Sequence, residues 1–197
     1  SEGLWGEFFT VVSELDANRY GCTDSEALNY DPLANVDDDS CIYTVVQDLL
    51  LDGIILNSVS LYNDPLNSNV EEIFGSTDII LITNDAGDYY IPGNNVNTIG
   101  NWEVGKGYQV LVGGFNDVEV SVEGYPIDAA NTLVTLQPFL LNNVAYLLDS
   151  PTSIESAFGD LPVVFAADDQ GRYYIPGNNV NTIDATGGMQ PGKGYQV

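Results

Sequence analysis

With 197 residues, 44% of them apolar and 12 of them tyrosine, the chain can bury a core and offset its conformational entropy, in one domain or two. Its 29 acidic residues stand against 4 Lys and Arg, a formal charge of −25, and histidine is absent. This composition excludes direct nucleic-acid binding, which needs clustered cations, nearly excludes anionic membrane surfaces, and removes every histidine-dependent triad, zinc or haem site.

In chain order, residues 1–20 read as an N-terminal arm. Trp5, Phe8, Phe9, Val12 and Leu15 lie close to helical spacing, with Glu7 and Glu14 on the other side, although a strand is equally allowed. Such an arm would pack on a neighbouring module or subunit. No run of about 18 apolar residues occurs, so direct membrane insertion is not expected and the chain reads as mature and soluble.

Residues 21–43 form a short Asp-rich module bracketed by Cys22 and Cys41, the only cysteines. One local disulfide is expected, worth about 3 kcal/mol on a chain-entropy model, and with it an oxidising, extracytoplasmic setting. Two unpaired buried thiols are the alternative. Asp24, Asp31, Asn35, Asp37 and Asp39 offer hard oxygens, and the alternate spacing Asn35-x-Asp37-x-Asp39 suits Ca²⁺. The EF-hand glycine and bidentate glutamate are missing, so the competing reading is a solvated turn whose carboxylates cap backbone N–H groups.

The rest of the chain is a duplication, with module 1 over 44–130 and module 2 over 131–197. YYIPGNNVNTI at 89–99 recurs letter for letter at 173–183, and GKGYQV at 105–110 recurs at 192–197, with three residues inserted between the blocks in the second copy. The insertion reads as a surface loop. Each module reads as β-structure. Residues 69–74 and 153–158 fit a helical turn that buries Val70 or Ile154 with Phe74 or Phe158. The apolar runs 79–83 and 163–167 end in NDAG or DDQG and resume as Tyr-Tyr-Ile, a hairpin with Gly87 or Gly171 at positive φ. Pro92-Gly93 and Pro176-Gly177 predict a turn with its glycine left-handed. VEVSVE at 118–123 alternates as a half-exposed strand would. Module 2 stops before any such segment, so the expectation is an incomplete sheet, completed by further chain or by a neighbour, and an edge open to another strand.

Three constellations could carry chemistry. The segments 100–107 and 187–194 mimic the G-x-x-x-x-G-K of a P-loop, but a glycine and a strand follow where Ser or Thr and a helix are required. The glycines then serve close approach, and Lys106 and Lys193 pair with carboxylates. A carboxylate pair of the glycosidase type is the one metal-free catalytic route left open. Yet the acids that recur between modules, Glu71 with Glu155 and Asp85 with Asp169, fall at a helical turn and a hairpin, so no catalytic residue is assigned. Tyr90, Asn94, Trp102, Tyr174 and Asn178 could form a glycan-stacking face. However, adjacent strand residues point to opposite sides, which places one tyrosine of each Tyr-Tyr pair in the core.

GCTDSEALNYDPLANVDDDSCIY, at 21–43, resembles a cysteine-bracketed module of very large proteins from marine bacteria, especially Bacteroidota, and from some marine phages. That module usually ends DDGSC, and Asp39 stands where it has glycine; Asp tolerates left-handed backbone better than most residues. The longer modules are similar to β-repeats that accompany it, with an apolar strand, a D-x-x-G hairpin and a closing GxGYQV strand. The resemblance implies scaffolding and attachment without catalytic residues. The sequence therefore points to an all-β protein of tandem β-sandwich-like modules behind a disulfide-bounded acidic loop. Its expected role is a non-catalytic extracellular or cell-surface segment of an adhesin, fibre or filament. The alternatives are a virion fibre or capsid decoration and a carbohydrate-binding module. Expected partners are further copies or neighbouring modules and surface glycans, and Ca²⁺ is the one candidate cofactor.

Overall fold

A computed structural model describes residues 18–197, so the apolar arm around Trp5 and Phe8 lies outside the described residues. The chain divides into two compact units, Ser1–Tyr43 and Thr44–Val197.

The first unit is organised by its cysteines. Strands β1 (Tyr20–Gly21) and β2 (Val36–Asp37) pair in parallel, and Cys22 bridges to Tyr30 in the same sense. Cys22 and Cys41 form the disulfide, as their spacing predicts. It is the covalent staple that so short a segment, with only Cys22 and Ala27 buried among its described apolar residues, requires. Its presence fits an oxidising environment. The Asn29 side chain donates to the Ser40 carbonyl and accepts from the Ile42 N–H, closing the loop beside the disulfide. Asp39 has φ 60°, the left-handed geometry that glycine would take more cheaply.

The second unit is all-β and holds both modules. In module 1, β3 (Val45–Leu51), β5 (Asn63–Pro65) and β10 (Val118–Pro126) form a three-stranded sheet with β10 central. Strand β10 pairs antiparallel with β3 from Val118↔Leu51 to Gly124↔Val45 and then with β5. The facing five-stranded sheet runs β4 (Leu56–Val59), β9 (Tyr108–Val112), β6 (Ile79–Thr83), β7 (Tyr89–Ile91) and β8 (Val96–Asn97). Leu49, Leu51, Val120 and Val122 from the small sheet meet Val59, Ile82, Val110 and Tyr90 from the large one. This is a sandwich core of alternating inward residues. Helix α1 (Val70–Phe74) closes one end, capped by the Asn69 side chain on the Glu71 N–H, with Val70 and Phe74 buried as their spacing predicts.

Module 2 repeats only the large sheet: β11 (Asn143–Ala145), β15 (Gly194–Gln196), β12 (Ala166–Ala167), β13 (Tyr173–Ile175) and β14 (Val180–Asn181). Helix α2 (Ile154–Phe158) takes the place of α1, capped by Ser153. The second core gathers Val144, Tyr146, Ile154, Phe158, Ala166, Tyr174, Ile183, Met189 and Tyr195. The expected strand at 163–167 is reduced to its last two residues, because β15 offers a partner only to Ala167 there.

One expectation is corrected. Gly87 and Gly171 do carry positive φ in their hairpins, but after Pro92 and Pro176 the left-handed residue is Asn95 or Asn179, not the glycine. Pro-Gly-Asn winds into a single 3₁₀ turn that stays right-handed until an asparagine, which tolerates positive φ, ends it. The insertion in module 2 lies at the surface as expected: the three added residues fall within 184–188, where Ala185, Thr186 and Gly187 are exposed. Met189 is buried and, through reciprocal backbone bonds with Thr152, occupies the place that Trp102 holds against Ser68 in module 1.

The duplication reaches further upstream than the matching letters. Asn57 in module 1 donates its amide to the carbonyls of Asp52, Ile55 and Val110 and accepts from the Asp52 N–H. Asn142 repeats this with Gln137, Leu140 and Val197. Between these anchors Ile54 and Phe139 both sit at positive φ, 70° and 65°, with exposed side chains.

Candidate functional site

The most organised polar site is the seam where the modules meet, and the repeated GKGYQV motif builds it twice. Gly105 and Gly192 adopt positive φ and turn the chain into β9 or β15. Tyr108 and Tyr195 then bury their rings and accept the N–H of Glu103 and Gln190 on their hydroxyls, which pins the preceding loop. Burial pushes each of these phenols up to about 12. The glycine after the lysine is required by close approach: a Cβ on Gly107 would lie 2.9 Å from the Val144 carbonyl, and one on Gly194 would lie 3.0 Å from the Ser58 hydroxyl.

Each lysine is held by the hairpin aspartate of its own module. Lys106 reaches Asp85 at 3.5 Å and Lys193 reaches Asp169 at 2.9 Å. Each aspartate also accepts a backbone N–H from the opposite module, Asp85 from Asn143 and Asp169 from Ser58. The backbones exchange bonds in the same reciprocal sense. Gly107 and Ala145 bond to Asn143 and Gly105 across one half of the seam, and Ser60 donates to the Gly192 carbonyl across the other. The pairing of Lys106 with Val144 mirrors that of Val59 with Lys193. The two halves are unequal: Asp169 is 1% exposed, with one oxygen unbonded, whereas Asp85 is 18% exposed. The lysines thus serve ion pairs, as the failed P-loop match implies. The recurring Asp85 and Asp169 are the seam's carboxylates.

The Asp-rich loop uses its oxygens locally. Asp24 accepts from the Glu26 N–H and the Tyr43 hydroxyl, Asp31 from Leu33, Asp37 from Asp39, Asp38 from Ser40, and Asn35 from Arg19. The Glu26 amide and then the Tyr43 hydroxyl hold the Asp24 carboxyl below its ordinary value, and the same bond raises Tyr43. Among the described residues no three acidic or cysteine side chains gather closely enough to hold a metal ion. Asp24, Asp31, Asp37 and Asp38 each cap a backbone N–H two residues on.

The glycan-stacking set is not brought together on a surface. Tyr90, Trp102 and Tyr174 are buried, and Trp102 stacks on Tyr108 with ring centroids 4.0 Å apart, so their faces are closed to a ligand. The outward tyrosine of each pair is the other one, Tyr89 and Tyr173, each 40% exposed. Asn94 and Asn178 end the 3₁₀ turns that follow β7 and β13. The recurring Glu71 and Glu155 lie in the first turns of α1 and α2, where negative charge suits the helix dipole.

Sequence reasoning missed Asp184. It accepts from Ser153, from the amides of Ile154 and Glu155, and from Asn181. Burial raises this carboxyl, but the four donors outweigh it and hold the group below its ordinary value. The signal was present, since Asp184 replaces Gly100 directly after the longest repeated block.

The hollows at the seam are small. One of about 160 Å³ lies beside Asp85, Lys106 and Val134, and one of about 40 Å³ beside Lys193 and Leu49. No helix among the described residues is long and apolar enough to cross a membrane. Compared with known proteins, the chain matches no family model, no curated sequence and no solved structure.

Proposed function

We propose that the chain is a non-catalytic structural or adhesive segment of an extracellular assembly, carried on a cell surface or a virus particle. The observation that carries this reading is the seam. The repeated polar residues are spent on joining two β-modules into one unit, with Lys106 and Lys193 each held by a carboxylate that also grips the opposite module. Ligand sites usually enclose about 300–1,000 Å³ and converge a few polar groups on that space. The seam hollows are smaller, and their charged groups face each other. A dense negative surface keeps such units soluble and apart until specific contacts form.

Retention under flow tests the proposal. Beads carrying the chain are passed over surfaces coated with glycans, with an unrelated protein, or with the chain itself, while a panel of soluble polysaccharides is assayed for cleavage. The structural reading expects no cleavage and no glycan retention that depends on the outward rings Tyr89 and Tyr173. Cleavage of any substrate, or glycan retention abolished by Tyr89→Ala with Tyr173→Ala, would overturn it.

A further inference from the structure

In an antiparallel sandwich the outward residues of each strand are ordinarily polar. The small sheet of module 1 obeys this rule, with Asp48, Asp64, Glu119 and Glu123 exposed on β3, β5 and β10. The large sheet does not: none of its five strands holds a charged residue, in a chain with 29 acidic residues. Its inward residues include Ile82, Tyr90 and Val110. The residues that alternate with them form one apolar row across the outer face. Register sets Leu56 opposite Leu111, Leu111 opposite Leu81, and Ile91 opposite Val96, and the pairing of Ile82 with Tyr90 carries the row from Leu81 to Ile91. None of these residues belongs to either core. A bulge between Ile79 and Leu81 adds Ile80, 49% exposed, and Leu56 is 47% exposed. The repeat keeps these outward positions apolar, with Leu141, Phe165, Ile175 and Val180 standing where module 1 has Leu56, Leu81, Ile91 and Val96.

We propose that this face of module 1 binds the same face of a second copy of the chain. Two features select that occupant. The adjoining strip of the face is already an interface, since Ser58 and Gln109 are 2% and 8% exposed where module 2 comes against Ser58 through Asp169 and Gly194. The apolar row continues that interface outward. Charge is the second feature. Chains of formal charge −25 repel wherever their acids meet, and this uncharged face lets two of them approach without apposing carboxylates. A cationic partner finds no acid on these strands to pair with. Five strands about 4.8 Å apart, two or three outward residues deep, make roughly 300–400 Å² per copy, about half of what a stable interface buries on each partner. The contact is therefore weak and acts by repetition along an assembly.

This inference rests on the structural reading and names its partner. Sedimentation equilibrium of the intact chain, from about 10 μM to about 1 mM, reads the association. The expected mass rises from 21.3 kDa toward twice that value near the top of the range. Association should be stronger at about 1 M sodium chloride than at about 0.1 M, because the Debye length falls from about 10 Å to about 3 Å and the mutual repulsion is screened. Leu111→Asp, which sets a carboxylate within the row, should weaken association about tenfold or more. Leu56→Ser with Ile80→Ser, at two exposed side chains, should weaken it several-fold and decides the matter if Leu111→Asp fails to fold. Leu50→Asp, at a position 58% exposed on the outer face of the small sheet, should leave it unchanged. A monomer at every concentration, association that salt weakens, or an equal loss from Leu50→Asp would overturn the proposal. Each of those results leaves the cleavage and glycan-retention outcomes, which test the structural reading, unaffected.

Discussion

In module 1, Leu49 and Leu51 lie beside β10 and are 3% and 2% exposed, whereas their counterparts Val134 and Leu136 are only partly covered. The large sheet, the helical turn and the hairpin nevertheless form alike in both modules. The comparison teaches that the repeated residues suffice for the large sheet and the seam, which form in module 2 without a strand pairing against the counterparts of β3.

The largest effect that bears on this difference is in the cores. Phe74 is packed beneath two sheets and Phe158 beneath one, so Phe74→Ala should cost ~4 kcal/mol and Phe158→Ala nearer ~3 kcal/mol. Urea unfolding measures both, and equal losses would remove the distinction.

The seam gives the next test. Lys193→Met strands the buried Asp169 and should cost ~3 kcal/mol, while Lys106→Met leaves Asp85 with some access to water and should cost ~1 kcal/mol. Reversal of that order in thermal unfolding would mean that the two halves of the seam are not ranked by burial. Smaller again, Gly107→Ala drives a Cβ into the Val144 carbonyl and should cost ~2 kcal/mol. Gly194→Ala, whose Cβ would meet the rotatable Ser58 hydroxyl at 3.0 Å and the Val59 carbonyl only at 3.1 Å, should cost ~1 kcal/mol by the same assay.

The smallest effect is acid-dependent and belongs to module 2 alone, since Gly100 replaces Asp184 in the other copy. The folded-state carboxyl of Asp184 is held below its ordinary value. It therefore contributes stability above about pH 4 and loses it as the pH falls through the folded-state value. Asp184→Asn should cost ~1 kcal/mol near neutral pH, and the gap should close on acidification below about pH 4. Urea midpoints measured from pH 6 to pH 3 check this, and a gap that widens in acid would contradict the assignment.

Much of the fold was legible because identical letters fix identical turns. Gly87, the VEVSVE alternation and the pair Val70 and Phe74 each carry a local signal that tertiary packing obeys. The disulfide was legible in the same way, whereas the left-handed Asp39 was expected only from the resemblance to a module with glycine at that place. The turn after Pro92 was not, since Pro-Gly fits both a type II turn and a 3₁₀ turn, and only the asparagine that follows settles which forms. The upstream copy was hidden because Asn57 and Asn142 act through backbone carbonyls, so their neighbours were free to change. For the site, the lysine–carboxylate pairing could be read from the scarcity of cations, but its span across two modules could not. No spacing rule brings Asp169 to the Ser58 amide. The glycan set failed on a parity: alternation along a strand says that one tyrosine of a pair is inward without saying which.

The exchange of Trp102 for Met189 has an optical consequence. Trp102, stacked on Tyr108, lies in one half of a duplicated structure whose other half has a thioether in the same place. Once Trp5 is replaced by phenylalanine, indole emission reports the melting of residues around α1 alone, whereas circular dichroism reports both halves. Superimposable curves from the two signals would mean that the halves melt as one cooperative body, and an early or late fluorescence change would resolve them.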